Sequence, residues 1–522
     1  MRILKASFAA GAGKTSAAVR KTVRRVSKAK RVLIISANTD LLIQTAEDVR
    51  KAFGKPTRKS KGAGRMRDEN PHIIVRAIYG RADSHDGLVE EGKVVEQVTE
   101  AIMAANGSPY GCCLLITHEA FKRMRDGLCT GWVGLFDEAD EVVVEYRTAM
   151  AETHAFITDH LKPEGLGAKN VKLEVKWGHK QKLQRVYDNP RNDKSFIPLK
   201  EFSGFLLDPN YHVYTSAKQW NDLRAGEASD EQQWVVIKGP GKLAEFEEIT
   251  VMGAKLEATS NYFFWERMWN VDWQDDAELA EGLRYTYSHP NSHLVEFYGA
   301  FNEMATRNSK KQLAFVGSDE KREAVVKRAV LDMFGDSGGK DAGYAWCDNN
   351  YTATPLPVVP NEADSDYTNQ IHNKPQGKNE VWEGYADVAL LGTYNYTKLT
   401  GAVLEDLGFT RDMQEVDRNF LYWYQQLMRC APRRLSYEGI TRCITFTTRF
   451  GDWCKREGLF PDSTSLMLPA TAGKRIEPLK GEGRPREELT SEERASKEAA
   501  AKLRKRLADA ERYKKKKAGK AH

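Results

Sequence analysis

The chain reads as an α/β protein with parallel sheets in two halves, and three observations predict this. Short continuous apolar runs, such as RVLIIS at 31–36, alternate with amphipathic helical stretches, as expected of strands covered on both faces. A glycine-containing turn, Ala9-Ala-Gly-Ala-Gly-Lys-Thr15, joins the first such strand to the first helix. A second strand-and-helix run begins near residue 290, after a stretch of different character.

Taken in order, residues 2–8 (RILKASF) form a buried strand, and Gly11 and Gly13 punctuate the turn after it. A helix follows from Thr15 to about Ser27, its polar side carrying Arg20, Lys21, Arg24 and Arg25. Residues 31–36 are a second strand and 41–53 a second helix. A basic loop, 55–67, precedes a strand at 72–78, with further strands at 111–117 and 131–136. From 141 to 247 the periodicity is mixed and is broken at Asp188-Asn-Pro190 and Gly239-Pro-Gly241. That span is too long for a loop and reads as an inserted subdomain. Strand character returns at 248–254 (EITVMGA). The second run holds a strand at 312–317, a helix through 320–334, a strand at 386–391, a helix at about 413–430 and a strand at 443–447. Residues 355–377 are Pro/Asn-rich and loop-like. The expected layout is residues 1–285 with the insertion at 141–247, then 286–473, then a tail at 474–522 that is a solvated helix or a disordered arm.

Composition bounds the function classes. A chain of 522 residues with 41% hydrophobic and 10% aromatic residues has ample core, which excludes disorder throughout. The net charge of +6 is uneven. Residues 474–522 hold 17 Lys+Arg against 9 Asp+Glu, a net of +8, which leaves −2 for the rest. The basic excess is therefore no argument for nucleic-acid binding by the body of the chain. No apolar run approaches the ~18–20 residues that cross a bilayer, and Met1-Arg-Ile-Leu-Lys5 leads straight into the glycine turn. The seven cysteines form no C-x-x-C pair and read as buried reduced thiols. A soluble cytoplasmic monomer without membrane contact is expected.

The turn at 9–15 carries the chemistry. Polyphosphate binding needs inward backbone N–H groups above a helix N-terminus, which small residues allow. Ala10, Gly11, Ala12 and Gly13 would form the cradle, Lys14 would reach the β/γ-phosphates, and Thr15 would hold Mg²⁺. The full G-x-x-x-x-G-K-[ST] pattern wants Gly at position 8, where this chain has Phe8. The complementary carboxylates end a nearby apolar strand in Val133-Gly-Leu-Phe-Asp137-Glu138-Ala139-Asp140. Asp137 would bind the metal, and Glu138 would orient or deprotonate the attacking water. ATP hydrolysis is the expected reaction.

These residues resemble helicase superfamily 2, whose first motif often reads A-x-x-G-x-G-K-T and whose second is D-E-A-D or D-E-x-x. Ser36-Ala37-Asn38 with Leu41 and Gln44 resembles the segment that touches the nucleic-acid backbone. Ile116-Thr-His-Glu-Ala120 is similar to the "TH" segment of some DNA helicases. At the third motif this chain reads Gly253-Ala254-Lys255 where the family has Ser-Ala-Thr. At the sixth, Q-x-x-G-R-x-x-R, it reads Gln425-Gln-Leu-Met-Arg429-Cys-Ala-Pro-Arg433-Arg434, the second arginine one residue late. Gln425, Arg429 and Arg433, four apart, would share one helix face. Arg429 and either Arg433 or Arg434 would act as arginine fingers. Asp387–Thr393 weakly resembles the fifth motif.

The resemblance implies two RecA-like P-loop NTPase domains, ATP with Mg²⁺, and a helicase or translocase serving replication, recombination or repair beside partner proteins. With no aromatic-then-Gln adenine motif ahead of the loop, it departs from the DEAD-box RNA helicases and points towards single-stranded or duplex DNA, with RNA as an alternative. Contacts to nucleic acid are expected from Lys55–Arg67, from the tail with Lys514–Lys517 (or the tail is a solubilising end), and from the aromatic run Tyr262–Trp269 unless that run is core. The rivals are a terminase-like DNA-packaging ATPase, whose C-terminal nuclease would draw on Asp387, Glu405 and Asp406, and a small-molecule kinase, which the length disfavours.

Overall fold

Seventeen strands form among the described residues, and their pairing divides them into three sheets. The structure is a computed structural model that describes residues 1–37, 39–54, 74–79, 91–138, 141–150, 153–167, 169–227, 231–302, 321–335, 343–348, 356, 369–371 and 382–472. The chain divides into two compact units, and the larger, Met1–Gln312 with Glu323–Gly473, holds all three sheets.

In chain order, the first five strands are β1 (Arg2–Phe8), β2 (Arg31–Ser36), β3 (Ile74–Ile78), β4 (Cys112–Thr117) and β5 (Val133–Asp137). Next come β6 (Val143–Thr148), β7 (Leu161–Leu166), β8 (Asn170–Val175), β9 (Tyr211–Ser216) and β10 (Gln232–Lys238). Then follow β11 (Glu248–Ala254), β12 (Asp272–Asp275), β13 (Val295–Phe301), β14 (Tyr344–Cys347), β15 (Asp387–Leu390), β16 (Thr441–Thr447) and β17 (Thr464–Met467).

The first sheet has seven parallel strands in the order β12-β1-β11-β5-β2-β4-β3. β2, β4 and β5 are apolar because both faces are covered. Their residues are buried almost without interruption, as parallel strands require. The last sheet, β14-β15-β16-β13-β17, is also wholly parallel. The protein is thus α/β with two parallel sheets.

Residues 143–238 build a sheet of their own, antiparallel and ordered β6-β10-β9-β8-β7. In β8, Val171 and Leu173 are buried while Lys172 and Glu174 between them are partly exposed. That alternation belongs to a sheet with one wet face. Trp220 and Trp234 fill its core.

One expectation changes. The helix expected at about 413–430 is three pieces, Arg411–Glu415, a π turn Val416–Phe420, and Leu421–Leu427. It stops at Leu427 because Pro432 cannot continue a helix, and Ala431–Arg433 forms a 3₁₀ turn instead. Gln425, Arg429 and Arg433 therefore do not share a helix face. In the aromatic run the core reading holds: Phe263, Phe264 and Trp265 are buried. Phe263 and Phe264 pack on Phe409, and the Trp265 indole donates to the Lys238 carbonyl at 3.0 Å. All seven cysteines are free and buried. The loop 55–67, the strand expected at 312–317, most of 355–377 and the tail 474–522 lie outside the described residues.

Candidate functional site

In a parallel sheet the carboxyl ends of the strands share one edge, where ligands characteristically bind. Here β1 ends beside β11, Phe8 opposite Ala254, and β5 ends with Asp137 opposite Met252. The Glu138 N–H donates to the Met252 carbonyl at 3.1 Å. The register therefore brings the glycine turn, the acidic pair and Gly253-Ala254 to a single edge.

A cleft of about 330 Å³ opens there. Its walls include Ala10, Gly11, Gly13, Lys14 and Thr15 from the turn, Asp137 and Glu138 from the end of β5, and Gly253 and Ala254 from the end of β11. Gln425, Arg429 and Arg433 close it from segments that flank the last sheet. Of the cradle residues, Ala12 faces the core instead, fully buried, its carbonyl accepting from the Arg284 N–H at 2.9 Å. Arg433 lines the cleft, whereas Arg434 is exposed and lies over the Tyr437 ring at 5.5 Å.

The turn has the backbone of an anion cradle. Gly13 (φ 92°) caps the helix Lys14–Ser27 in the left-handed region, and Gly11 is at φ 75°, conformations that glycine adopts without penalty. A Cβ on Gly11 would stand 2.8 Å from the Tyr285 hydroxyl. Phe8 needs no such freedom. It ends β1 in the sheet ladder and is buried, so the missing glycine at this position costs the turn nothing. The Lys14 ammonium donates to the Phe8 and Ala9 carbonyls at 3.3 and 3.0 Å.

The turn is braced from outside its own sheet. The Ala10 N–H donates to the Tyr424 hydroxyl at 2.8 Å, and a 2.6 Å hydrogen bond joins that hydroxyl to His289 Nε2. The Tyr285 hydroxyl donates to the Ala10 carbonyl at 2.9 Å, and the Ala9 N–H donates to the Thr286 carbonyl at 2.9 Å. These partners, like the Arg284 side chain in the cleft wall, were missed in the sequence. They lie far from the turn in the chain: Arg284, Tyr285, Thr286 and His289 in a stretch without periodicity, and Tyr424 in a helix whose approach to the turn only the fold shows.

Charge in the cleft is unbalanced by burial. Burial, then the neighbouring Glu138, pushes the Asp137 carboxyl up to about 7, against the pull of Lys14. Burial raises Glu138 as well, opposed by Arg429 and Lys14. Burial lowers Lys14 to about 8 and lowers Arg429. Glu138 also holds a left-handed backbone, φ 58°, uncommon outside glycine and characteristic of functional sites. Asp137, buried, and Glu138, half-buried, line the cleft together with the Thr15 hydroxyl, oxygen donors of the kind a hard divalent cation takes. The glycine turn and Lys14 suit a polyphosphate, so the residues present fit a polyphosphate with a divalent cation such as Mg²⁺.

The flanking motifs also fall around the cleft. Leu41 and Gln44 line it rather than standing apart, while Asn38 and Ala139-Asp140 lie outside the described residues. His118 stacks on Phe136 at 4.5 Å and bonds the Asp137 carbonyl at 3.0 Å, holding the end of β5. Where hydroxyls were expected at the third motif, the Lys255 ammonium pairs with Glu457 at 2.9 Å. That ion pair ties the end of β11 to the helix Arg449–Arg456 beside the last sheet. Among the described residues no helix is long and apolar enough to cross a membrane. The chain matches no family model and no curated protein sequence.

Proposed function

We propose that the protein is a nucleic-acid-stimulated ATPase of the helicase or translocase kind, similar to superfamily 2, with the two parallel sheets as RecA-like domains. One observation carries the reading: a phosphate cradle and acidic pair from one sheet face Gln425, Arg429 and Arg433 from the other across one cleft. A kinase built on a single parallel sheet draws no arginine from a second one. A motor does, because closing two halves around ATP couples hydrolysis to their movement.

In this reading Lys14 leaves the Phe8 and Ala9 carbonyls to bind phosphate oxygens. Thr15 and Asp137 would hold Mg²⁺, which when bound neutralises charge on the phosphates. Glu138 orients the attacking water and accepts its proton. Arg429, with Arg433 beside it, stabilises charge spreading on the transferred phosphoryl, a role worth about 10³–10⁵ in rate. DNA is the favoured track, RNA the alternative, within replication, recombination or repair in the cytoplasm. The carboxylates that a packaging nuclease would draw on are otherwise engaged. Asp387 pairs with Arg442 at 2.5 Å, Glu405 with Arg411 at 2.5 Å, and Asp406 accepts from Asn170 at 2.7 Å. The direct test is steady-state ATP hydrolysis by the full chain and by Lys14→Ala. The reading expects turnover in the first and none in the second, and fails if the two rates agree.

A further inference from the structure

The antiparallel sheet presents an indole to solvent. Trp177 is 98% exposed, whereas Trp234 of the sheet and Trp220 of the helix Ala217–Arg224 packed on it are 0% and 2% exposed. It sits in the turn between β8 and the helix Lys180–Asp188, which Gly178 makes possible at φ 78° with open space around it.

The turn is anchored although the indole is not. The Lys176 N–H donates to the His160 carbonyl at 2.9 Å, and the His179 N–H donates to the Lys176 carbonyl at 3.0 Å. The two imidazoles, His160 and His179, meet Nδ1 to Nδ1 at 3.1 Å. The Lys176 ammonium donates to the Asp159 carbonyl at 2.9 Å. Residues 176–185 hold four cations and no carboxylate, and Lys180, Lys182 and Arg185 are exposed beside the tryptophan. Of the acids nearby in the chain, Glu174 is paired with Lys162 at 3.2 Å and Lys172 at 3.1 Å, and Asp159 and Asp188 are exposed at the margins of the segment.

An anchored turn with a solvent-facing aromatic, followed by a helix that carries exposed cations, matches what a single strand requires: a flat face for a base and positive charge for its phosphates. We propose that the Trp177 turn is a stacking platform for an unpaired base of single-stranded nucleic acid, with Lys180, Lys182 and Arg185 on the backbone. The proposal rests on the motor reading and names where the strand touches the inserted sheet. The turn lies at the far end of the β7–β8 hairpin from Asn170, which bonds Asp406. Six residues of strand put about 20 Å between those ends, and no residue of 170–188 lines the cleft that holds Lys14 and Asp137.

The test uses the full chain with fluorescein-labelled oligo(dT), oligo(U) and a blunt duplex, read by anisotropy alongside ATP hydrolysis. Trp177→Ala should weaken single-strand binding about tenfold, while Trp177→Phe stays within about threefold because it keeps a π-face. Basal hydrolysis should be unchanged in both. Comparing oligo(dT) with oligo(U) separates DNA from RNA as the source of the strand. Trp177→Ala binding oligo(dT) and oligo(U) as tightly as wild type, or losing duplex affinity to the same degree, would overturn the platform. The two failures separate. If single strands stimulate wild type and Trp177→Ala equally, only the platform falls. If wild type binds no polynucleotide and its rate ignores them all, the motor reading and the platform fall together.

Discussion

The Tyr424 hydroxyl accepts a hydrogen bond from the Ala10 amide at 2.8 Å, so the glycine turn is fastened to the segment that bears Gln425 and Arg429. Tyr424 is fully buried and His289 nearly so. Removing the hydroxyl leaves the amide and His289 Nε2 without a partner, a cost of about 1–3 kcal/mol. Tyr424→Phe is expected to weaken nucleotide binding about tenfold, since 1.4 kcal/mol is tenfold, and to lower the melting temperature. Titration with a fluorescent ATP analogue measures the first and thermal unfolding the second.

Arg429 lies on the cleft wall, its charge felt by Glu138. Arg429→Ala is expected to leave ATP affinity within about threefold of wild type while turnover falls about 10³-fold. Arg429→Lys should not restore the rate, because an ammonium lacks the planar fork of the guanidinium. Single-turnover hydrolysis at saturating ATP separates these outcomes. Unchanged turnover in Arg429→Ala would remove the finger role.

His289 gives the brace a pH dependence. Burial, with a smaller contribution from Lys14, lowers its pKa to about 3 from an ordinary 6.5. The ring stacks on Phe460 at 4.5 Å and stays neutral in the folded protein. Between those two values the unfolded chain binds the proton and the folded one does not, so stability rises with pH. It is fully present above about pH 6.5 and is lost as the pH falls towards 3. The melting temperature should therefore drop between about pH 7 and pH 5, and His289→Gln should flatten that drop. Equal slopes for the two proteins would show that His289 does not carry it.

Much of the fold was legible because parallel strands buried on both faces leave continuous apolar runs. The strands β1, β5 and β11 were legible as such runs at 2–8, 131–136 and 248–254, while the register that brings their ends together is a property of the folded sheet. The antiparallel sheet was readable only as an interruption. Edge strand β7 is LKPEGL with four exposed residues, and neither its Pro163 nor its Gly165 signals a strand. The break after Leu427 was missed because Gln425, Arg429 and Arg433 have helical spacing, and Pro432 outweighed it. The brace of Tyr285, His289 and Tyr424 on the turn joins residues that only the folded chain brings together.

The most direct measurement is the steady-state rate of ATP hydrolysis by the full chain with no polynucleotide, with single-stranded DNA, with duplex DNA and with RNA. A cleft shared by two sheets that move on a strand predicts a rate that rises several-fold with nucleic acid, most with single-stranded DNA. A rate that is the same in all four conditions would contradict the motor account.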